Sequence, residues 1–502
     1  MRQGCLYLFH LLPAGSRFLV ARRVLDSFQN QPAESKKWSP KIIQTSVLLA
    51  IVWLTCAMST RAAVWYVDSS ATAGHDGKSW ATAWINIQDA VGVQPDDTVY
   101  ISGGPSGQTR AYNVGSGWHP ISGTSGHRVT YEIGQDSAHN GTAIFQGTSA
   151  AIIYGPASFF NFAGDAGDGK RHFSIPKNAI IYDGAIHDFR IAWIDGGSSF
   201  RGFWLHANNN QFHTMEWDHC FYHKLDDGPG GNDAICYMSN SPTTAGFDDT
   251  LIHDNVFEAP NTGNGDGDDF FQGTGDGVTW YNNVFRGYIT SYTNGQHQDG
   301  IQPLGGSYLK FHSNTCINIA NYPVFGDAYY GDFAHFWVFN NVIILADANM
   351  QKTDPPQGIA IGPDGGAFSN MGRQPTFTDI LIANNVIDGY GSHSSISLWN
   401  PTNHATTFTN CVVANNVTVN GSGMRLDPQD TVQTNLTGLT PAQAQSVFKS
   451  YSANSTTNDY DLLSTASQLI GRGTNKSANF TTDKDGNLRP TSGAWDLGAH
   501  EH

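Results

Sequence analysis

Charged residues and cysteines are both scarce in this chain of 502 residues. Only 14% of the residues are charged, and 27 Lys and Arg stand against 43 Asp and Glu, so the formal net charge is −16. No segment resembles the basic patch of a nucleic-acid-binding protein, and we expect no nucleic-acid partner. The six cysteines, four of which follow residue 63, are too few for a disulfide framework in a chain of this length.

One mostly apolar run, residues 42–58, lies near the N-terminus. Lys36 and Lys37 precede it, and the small-residue sequence 59–63 follows. This order predicts a signal peptide at about residues 36–63, a secreted protein (extracellular or periplasmic) and no stable membrane span after cleavage. A retained membrane anchor is the alternative, although the run is near the lower length for a span. Residues 1–35 are typical of an over-long gene model or an unusual extension, and we treat 1–63 as a leader.

The rest of the chain contains a short repeat centred on asparagine. The repeated residues are Asn255, Asn283, Asn314, Asn341, Asn385 and Asn416, which lie 28, 31, 27, 44 and 31 residues apart. A period in this range indicates a solenoid, in which each repeat buries its apolar face only against its neighbours. The repeats are β-branched and aromatic and are broken by Gly, Asn and Asp. They therefore predict coils of β-strands rather than of helices.

Alignment on the repeated Asn predicts which positions face the interior. The third residue before it is always apolar: Ile252, Trp280, Phe311, Val338, Ile382 and Val413. The residue after it is Val in five of six repeats: Val256, Val284, Thr315, Val342, Val386 and Val417. We expect both columns to stack inside the coil. We expect the Asn to adopt the αL-like backbone of a tight turn and to bond to the next Asn in an internal ladder.

An earlier coil fits the same alignment imperfectly. Glu216 then occupies the first apolar column, His219 the Asn position and Cys220 the Val column. An interior cysteine is more often a small buried apolar residue than a reactive thiol, so we expect Cys220 to be inert.

These features resemble the right-handed parallel β-helix of the pectin-lyase-like superfamily, and the resemblance extends over most of the chain. Residues 64–68, 76–83 and 97–101 look like the N-terminal cap of secreted bacterial β-helix proteins, with 85–91 as a short helix that plugs the first coil. Residues 483–490 and 495–501 are similar to the closing segment of such proteins. The resemblance implies a fold and does not fix an activity.

The predicted architecture is therefore all-β: a single-stranded, right-handed parallel β-helix with an N-terminal cap. We place the cap and first coils at 64–130, the helix with its active groove at 131–425, and the last coil and closing segment at 426–502. We expect this elongated domain to be a monomer.

Acidic residues cluster on consecutive coils, at Asp226, Asp227, Asp233, Asp268, Asp269, Asp299, Asp327 and Asp332. We expect Ile235, Phe270 and Ile301 to point inward, so that the acids two residues before them lie at equivalent edges of three coils. Parallel strands lie about 4.8 Å apart, and one or two such steps readily supply the roughly 6.5–9.5 Å between the carboxyls of inverting glycosidases. A single Asp before Gly is explained by a turn, but doubled acids on three coils favour a site.

One interpretation is hydrolysis of a polysaccharide without a cofactor. The order Asn232-Asp233, Asp268-Asp269 and Gly295-x-His297 resembles the polygalacturonase family, although the spacings are longer and no Arg-x-Lys follows on a later coil. We predict Asp268 or Asp269 as the general acid and Asp233 or Asp299 as the base. His297 orients one of them or contacts the sugar, and Gln302 points into the same groove.

The alternative is a lyase in which clustered acids, with Asp226 and Asp227 as candidate ligands, hold Ca²⁺ against a uronate carboxylate. Lys224 or Lys310 would then bind substrate and remove the proton. Between residues 202 and 351 only Lys224, Arg286 and Lys310 are basic, and this narrowly favours hydrolysis. A third interpretation is a non-catalytic adhesin or carbohydrate-binding surface protein, which would have no reason to concentrate acids and His297 on neighbouring coils.

Overall fold

The computed structural model describes one compact unit that begins at Ala62. The residues described are 62–72, 74–149, 151–182, 186–196, 212–223, 234–237, 247–258, 269–287, 298–347, 356–363, 371–390, 394–398, 406–421 and 423–502. The predicted leader lies outside them. Within them, no helix is long and apolar enough to cross a membrane.

The described residues form a parallel β-helix, as the repeat predicts. Its first sheet has thirteen strands: Val64–Val67, Thr98–Ile101, Val129–Ile133, Ala157–Ala163, Ile186–Ala192, Met215–Asp218, Leu251–His253, Thr279–Tyr281, Lys310–His312, Trp337–Phe339, Leu381–Ala383, Val412–Ala414 and Thr431–Gln433. Its second sheet has twelve: Thr109–Asn113, Thr142–Gln146, Phe173–Ile175, Ile194–Gly196, Phe221–His223, Val256–Glu258, Val284–Arg286, Thr315–Ile317, Val342–Ile344, Val386–Asp388, Val417–Val419 and Leu436–Leu439.

A third sheet completes the wall of the coil in the later part of the chain. Its seven strands are Ala234–Tyr237, Asp269–Gly273, Asp299–Pro303, Tyr322–Asp327, Ile359–Gly362, Ile396–Leu398 and Met424–Leu426. A further sheet consists of four short strands, each of which directly precedes a first-sheet strand in the sequence: Gly306–Ser307, Phe333–Ala334, Thr376–Thr378 and Thr407–Thr409. Two parallel pairs join Ala151–Tyr154 to Ala179–Tyr182 and Phe212–His213 to Phe247–Asp248. An antiparallel pair joins Phe448–Ser450 to Asp459–Leu462.

The described residues contain little helical structure. At the N-terminus the predicted helix over 85–91 is only a 3₁₀ turn, Ile87–Asp89, whose Ile87 side chain is buried. A second 3₁₀ turn spans Trp80–Thr82, and one short α-helix spans Pro441–Gln445. The closing segment is fixed by Arg489, which is buried and donates hydrogen bonds to Glu501 and to the Asn340 amide oxygen.

The asparagine ladder is internal, as predicted. The Asn314 amide oxygen accepts hydrogen bonds from the backbone N–H of Asn283 at 2.9 Å and from its side-chain N–H at 3.0 Å. The Asn283 side chain also donates to the Ile252 carbonyl at 2.8 Å. Every step to Asn416 repeats this pattern, and Asn435 extends it by one coil. The buried amides therefore satisfy one another and tie consecutive coils together.

The backbone of the ladder differs from the prediction. The residue before each ladder Asn, not the Asn itself, lies in the αL region: for example Asp254, Asn282, Asn340, Asn384 and Asn415 have φ of 53–59°. The chain turns its corner at that residue. The ladder Asn is consequently free to point inward at the end of the turn.

The second interior column lies one position later than predicted. The residues two after the ladder Asn are fully buried: Phe257, Phe285, Cys316, Ile343, Ile387 and Thr418. Because the ladder Asn already points inward, strand alternation sends the next residue outward and the one after it inward. The predicted Val column therefore lies on the outer face. Its members Val342, Val386 and Val417 are buried nonetheless, because residues of the C-terminal segment such as Leu439 and Leu497 pack on them.

The imperfect coil is also shifted by one. Trp217 pairs with Ile252 and fills the first interior column, while Glu216 pairs with the exposed Leu251. Cys220 takes the Asn position, where its N–H donates to the Asn255 amide oxygen at 2.8 Å. Its side chain is buried, as expected, and burial raises the pKa of the thiol to about 12, so the thiol is unreactive.

Candidate functional site

Four polar side chains form a hydrogen-bonded row across three adjacent strands of the third sheet, which we call the acid–amide row. They are Asp269, Gln272, Gln302 and Asp327. The Gln272 amide N–H groups donate to Asp269 Oδ2 at 3.1 Å and to Gln302 Oε1 at 2.6 Å. The Gln302 amide in turn approaches Asp327 Oδ2 at 3.5 Å. Two carboxylates thus lie at the ends of a pair of amides.

Strand register explains the positions of the two glutamines. Phe271, Ile301 and Val324 pair with one another and are buried in the core. Each glutamine directly follows one of these interior residues and therefore points to the other face of the sheet. Gln272 and Gln302 are paired partners on neighbouring coils, which brings their amides together. The sequence predicted this orientation for Gln302.

Asp269 and one further carboxylate, Asp299, also join the same strands through backbone hydrogen bonds. Asp269 Oδ1 accepts a hydrogen bond from the Asp299 N–H at 2.7 Å, and Asp299 Oδ1 accepts one from the Tyr322 N–H at 3.0 Å. Asp269 is 1% exposed and Asp299 is fully buried. These hydrogen bonds fix the orientation of both carboxylates and tie the three strands together.

The alignment of these acids differs by one residue from the prediction. Phe271, not Phe270, is the partner of Ile301, and Asp269 rather than Asp268 therefore lies opposite Asp299. Phe270 and Phe271 are both buried, so the sequence did not show which of the two pairs with the interior residue Ile301. On the preceding strand, Ala234 pairs with Asp269 and Cys236 with Phe271, so Cys236 rather than Ile235 is the counterpart of Ile301.

Several predicted site residues lie outside the described residues, and their roles stay predictions: Asp233, Asp268, His297, Lys224, Asp226 and Asp227. Lys310 is described and does not join the row. It belongs to the first sheet, where its ammonium group lies 5.5 Å from the centre of the Trp337 ring. Of the predicted residues, the structure thus brings together Asp269, Asp299 and Gln302.

The carboxylate oxygens of Asp269 and Asp299 are largely engaged by N–H groups, which bears on the Ca²⁺ alternative. This ion takes six to eight oxygen ligands. Here the Oδ1 atoms of Asp269 and Asp299 already accept backbone N–H groups, and the Gln272 amide points N–H toward Asp269 Oδ2. Donors thus face three of the carboxylate oxygens at this place, and a Ca²⁺ site in the chain stays a prediction. The two acids that the sequence offered as metal ligands, Asp226 and Asp227, are not among the described residues.

A second polar cluster, which sequence reasoning missed, lies on the outer face of the first sheet. Arg190 forms two hydrogen bonds of 2.7 Å with the buried Asp218 carboxylate. The His253 ring lies 2.7 Å from Asp254 and 3.4 Å from Glu216. We call these five residues the first-sheet ion network. Their signal was present in the sequence, because four of them directly flank a residue of the first interior column.

The network shifts the pKa values of its members. Burial disfavours the charged form of His253, but hydrogen bonds to Asp254 and Glu216 outweigh burial and raise its pKa to about 9. The hydrogen bond from His253 holds the pKa of Glu216 and that of Asp254 below their usual values. His253 is therefore a cation at neutral pH. Because the charged groups of the network are paired with one another, we interpret it as a structural ion cluster rather than a catalytic acid–base pair.

The similarity of this chain to known proteins is weak. No protein-family model and no curated protein sequence matches the chain. Among solved structures, a pectate lyase is 14% identical, with a TM-score of 0.48 over 89% of this chain and 98% of that chain. A lacto-N-biosidase from Eubacterium ramulus is 11% identical, with a TM-score of 0.40 over 80% of this chain and 72% of that chain. An alginate lyase from Paenibacillus sp. str. FPU-7 is 10% identical, with a TM-score of 0.33 over 70% of this chain and 96% of that chain. Identities this low carry no activity over to this chain.

Proposed function

We propose that this protein is a secreted enzyme that cleaves glycosidic bonds in a polysaccharide by hydrolysis, at a site that includes the acid–amide row. The observation that carries the proposal is the row itself. It aligns carboxylates and amides on consecutive coils, where the stacking of the solenoid fixes their positions. Sugar hydroxyls are bound by such amides, and carboxylates supply the acid–base chemistry of most glycosidases.

The arrangement of the row suggests a role for each of its residues. Gln272 is its most exposed member and would contact the sugar, held in one orientation by Asp269 and Gln302. Asp269 and Asp299 are buried and accept backbone N–H groups, which fits carboxylates that orient the row and its substrate. With Asp269 in this orienting role, Asp268, its neighbour in the sequence, becomes the preferred general acid.

The separations are compatible with this chemistry. Neighbouring strands of the third sheet lie about 4.8 Å apart, so carboxylates on neighbouring or next-but-one coils span the roughly 5–9.5 Å that retaining and inverting glycosidases use. The competing lyase needs a basic residue beside the acids. Among the described residues, Lys310 lies on another sheet, while Lys224 lies outside them. The scarcity of Lys and Arg between residues 202 and 351 therefore remains the reason for preferring hydrolysis.

The test is incubation of the mature chain, from residue 64, with a panel of neutral and acidic polysaccharides, with and without EDTA. We expect new reducing ends, no absorbance near 232 nm and no effect of EDTA. An unsaturated product that absorbs near 232 nm and is lost with EDTA would instead establish the Ca²⁺-dependent lyase. Binding to a polysaccharide without any cleavage across the panel would establish the adhesin. A repeat with the Asp332→Asn variant, whose carboxylate pairs with Arg373 on the surface, controls for a change of surface charge.

A further inference from the structure

Two histidines and one aspartate converge on the outer surface where first-sheet strands begin. His187 Nδ1 lies 2.7 Å from Asp188 Oδ2, and His213 Nδ1 lies 3.8 Å from the same oxygen. The two imidazole rings stack with their centres 4.6 Å apart. The three candidate ligand atoms lie within 4.8 Å of one another. None of these residues belongs to the acid–amide row or to the first-sheet ion network.

The backbone explains why neighbouring residues point the same way. On a regular strand the side chains of His187 and Asp188 would project to opposite faces. Asp188 instead lies in the αL region, with φ of 53°, and the corner it makes turns its carboxylate toward His187. Asp tolerates this conformation better than most residues. The site is thus formed by the local fold and does not depend on a chance meeting of long side chains.

Coil stacking supplies the second imidazole. Phe189 pairs with Met215, so His187 and His213 occupy equivalent positions on neighbouring coils and Thr214 is the counterpart of Asp188. The Asp188 carboxylate bonds to His187, whereas His213 Nδ1 lies 3.3 Å from Thr214 Oγ1 and 3.8 Å from the carboxylate. The side chains are 32%, 21% and 47% exposed for His187, Asp188 and His213, so an ion from solvent can reach all three.

The spacing suits a transition metal. Zinc binds imidazole nitrogen and carboxylate oxygen at about 2.0–2.2 Å in a tetrahedron, which places ligand atoms roughly 3.4 Å from one another. The observed separations from Asp188 Oδ2, 2.7 and 3.8 Å, lie on either side of that value. The two rings are stacked nearly parallel, so metal binding requires them to turn until both Nδ1 atoms point at one ion, and their partial exposure leaves room for this. Imidazole-rich sites prefer zinc, copper or nickel to the oxygen-seeking Ca²⁺ and Mg²⁺.

We propose that His187, Asp188 and His213 form a binding site for a divalent transition metal of the zinc type. The bound ion joins two neighbouring coils and leaves a fourth position open to water. Asp248, the strand partner of His213 on the next coil, is half-buried beside the site and adds negative charge on the same side of the solenoid. The ion stabilises the folded chain, because the unfolded chain does not hold the three ligands together.

The proposal is tested with the tag-free mature chain after EDTA treatment and dialysis, titrated with Zn²⁺ by calorimetry and with Co²⁺ by visible absorbance. Two further clusters also offer metal ligands: Glu216, Asp218 and His253, and Asp461, Asp485 and His500. The measurements are therefore made in a His253→Gln/His500→Ala background. We expect one equivalent of Zn²⁺, a Co²⁺ spectrum of low coordination number, a raised unfolding temperature with Zn²⁺ and no response to Ca²⁺.

Three variants decide the assignment. His187→Ala, His213→Ala and Asp188→Asn should each weaken zinc binding by at least about 100-fold, since even the loss of an outer partner costs about 10–100-fold. Asp188→Asn keeps a residue that tolerates the αL corner and so keeps the fold. The matched control is His335→Ala, because His335 pairs with Asp379 at the same kind of corner but with a single imidazole. Absence of zinc binding, or binding that survives Asp188→Asn and His213→Ala in folded protein, would overturn the proposal.

Discussion

His253 and His312 occupy equivalent positions two coils apart, and their rings stack on the ring of Tyr281, which lies between them. Their pKa values shift in opposite directions. Hydrogen bonds to Asp254 and Glu216 outweigh burial and raise the pKa of His253 to about 9. Burial, helped by Lys310, lowers the pKa of His312 to about 4. One ring stack therefore carries a cation at one end and a neutral imidazole at the other at neutral pH, and each end predicts its own dependence of stability on pH.

His253 should stabilise the fold at neutral and acidic pH and lose that effect in alkali. Its folded pKa lies above the usual value of 6.5, so its stabilisation is complete below about pH 6.5 and disappears as pH rises through 9. We expect His253→Gln to lower the free energy of unfolding by about 1–3 kcal/mol at pH 6 and by much less at pH 9.5. Urea unfolding of both proteins at the two pH values measures this. A difference that stays constant with pH would contradict the ion network.

His312 should act in the opposite sense and cost stability in acid. Its folded pKa lies below 6.5, so as pH falls from 6.5 toward 4 the imidazole binds a proton in the unfolded chain but not in the folded chain. This difference lowers the free energy of unfolding. His312→Phe keeps a ring between Tyr281 and Phe339 and has no proton to accept. We expect this variant to unfold at a higher temperature than the parent protein at pH 4.5, and the gain to shrink at pH 7.5. Thermal unfolding at the two pH values measures it, and an equal effect at both would show that charge is not the cause.

The sequence predicted the solenoid, the first interior column and the buried ladder because each is marked by one residue type at a fixed spacing. It could not fix the phase where two neighbouring residues are equally apolar. Val284 and Phe285 both suit an interior position, as do Phe270 and Phe271, and only the pairing of coils shows which of them faces inward. The first-sheet ion network escaped prediction for a related reason, since its residues meet across coils that are 26–37 positions apart in sequence.

The corrected register predicts unequal effects at two neighbouring positions. Phe285 is fully buried and packs against Phe257 and Phe311, whereas Val284 is half-buried on the outer face. Phe285→Ala should lower the free energy of unfolding by about 3–5 kcal/mol, and Val284→Ala by less than about 1.5 kcal/mol. Denaturant unfolding of the two variants measures the difference. A larger loss for Val284→Ala would restore the register expected from the sequence alone.

The ladder predicts a similar contrast between neighbouring asparagines. Asn283→Leu removes one buried amide and leaves the N–H groups of Asn255 without their acceptor. We expect a loss of about 1–3 kcal/mol in the free energy of unfolding, the usual penalty for buried polar groups that lose a partner. Asn282→Gly is the control, since Asn282 is exposed in the αL region that glycine adopts readily. Chemical denaturation measures both variants. Equal losses in the free energy of unfolding would mean that the buried amide of Asn283 stabilises the fold no more than the exposed corner residue Asn282 does.

The proposed hydrolysis predicts that the carboxylates of the third sheet control turnover and not folding. Asp299→Asn and Asp269→Asn retain the volume and the oxygen that accepts the backbone N–H, so the coil should remain intact. Loss of the charge should lower kcat by about 10²–10⁴-fold, the contribution of a general acid–base group. If Asp299 is the base, its variant should also lose the acidic limb of the pH–rate profile, whereas Gln272→Leu should mainly raise KM because an amide that holds the sugar has no proton to transfer. Steady-state kinetics on the polysaccharide that the parent protein cleaves, with circular dichroism to confirm folding, measures these effects. Full turnover by a folded Asp269→Asn/Asp299→Asn double variant would move the active site away from the acid–amide row.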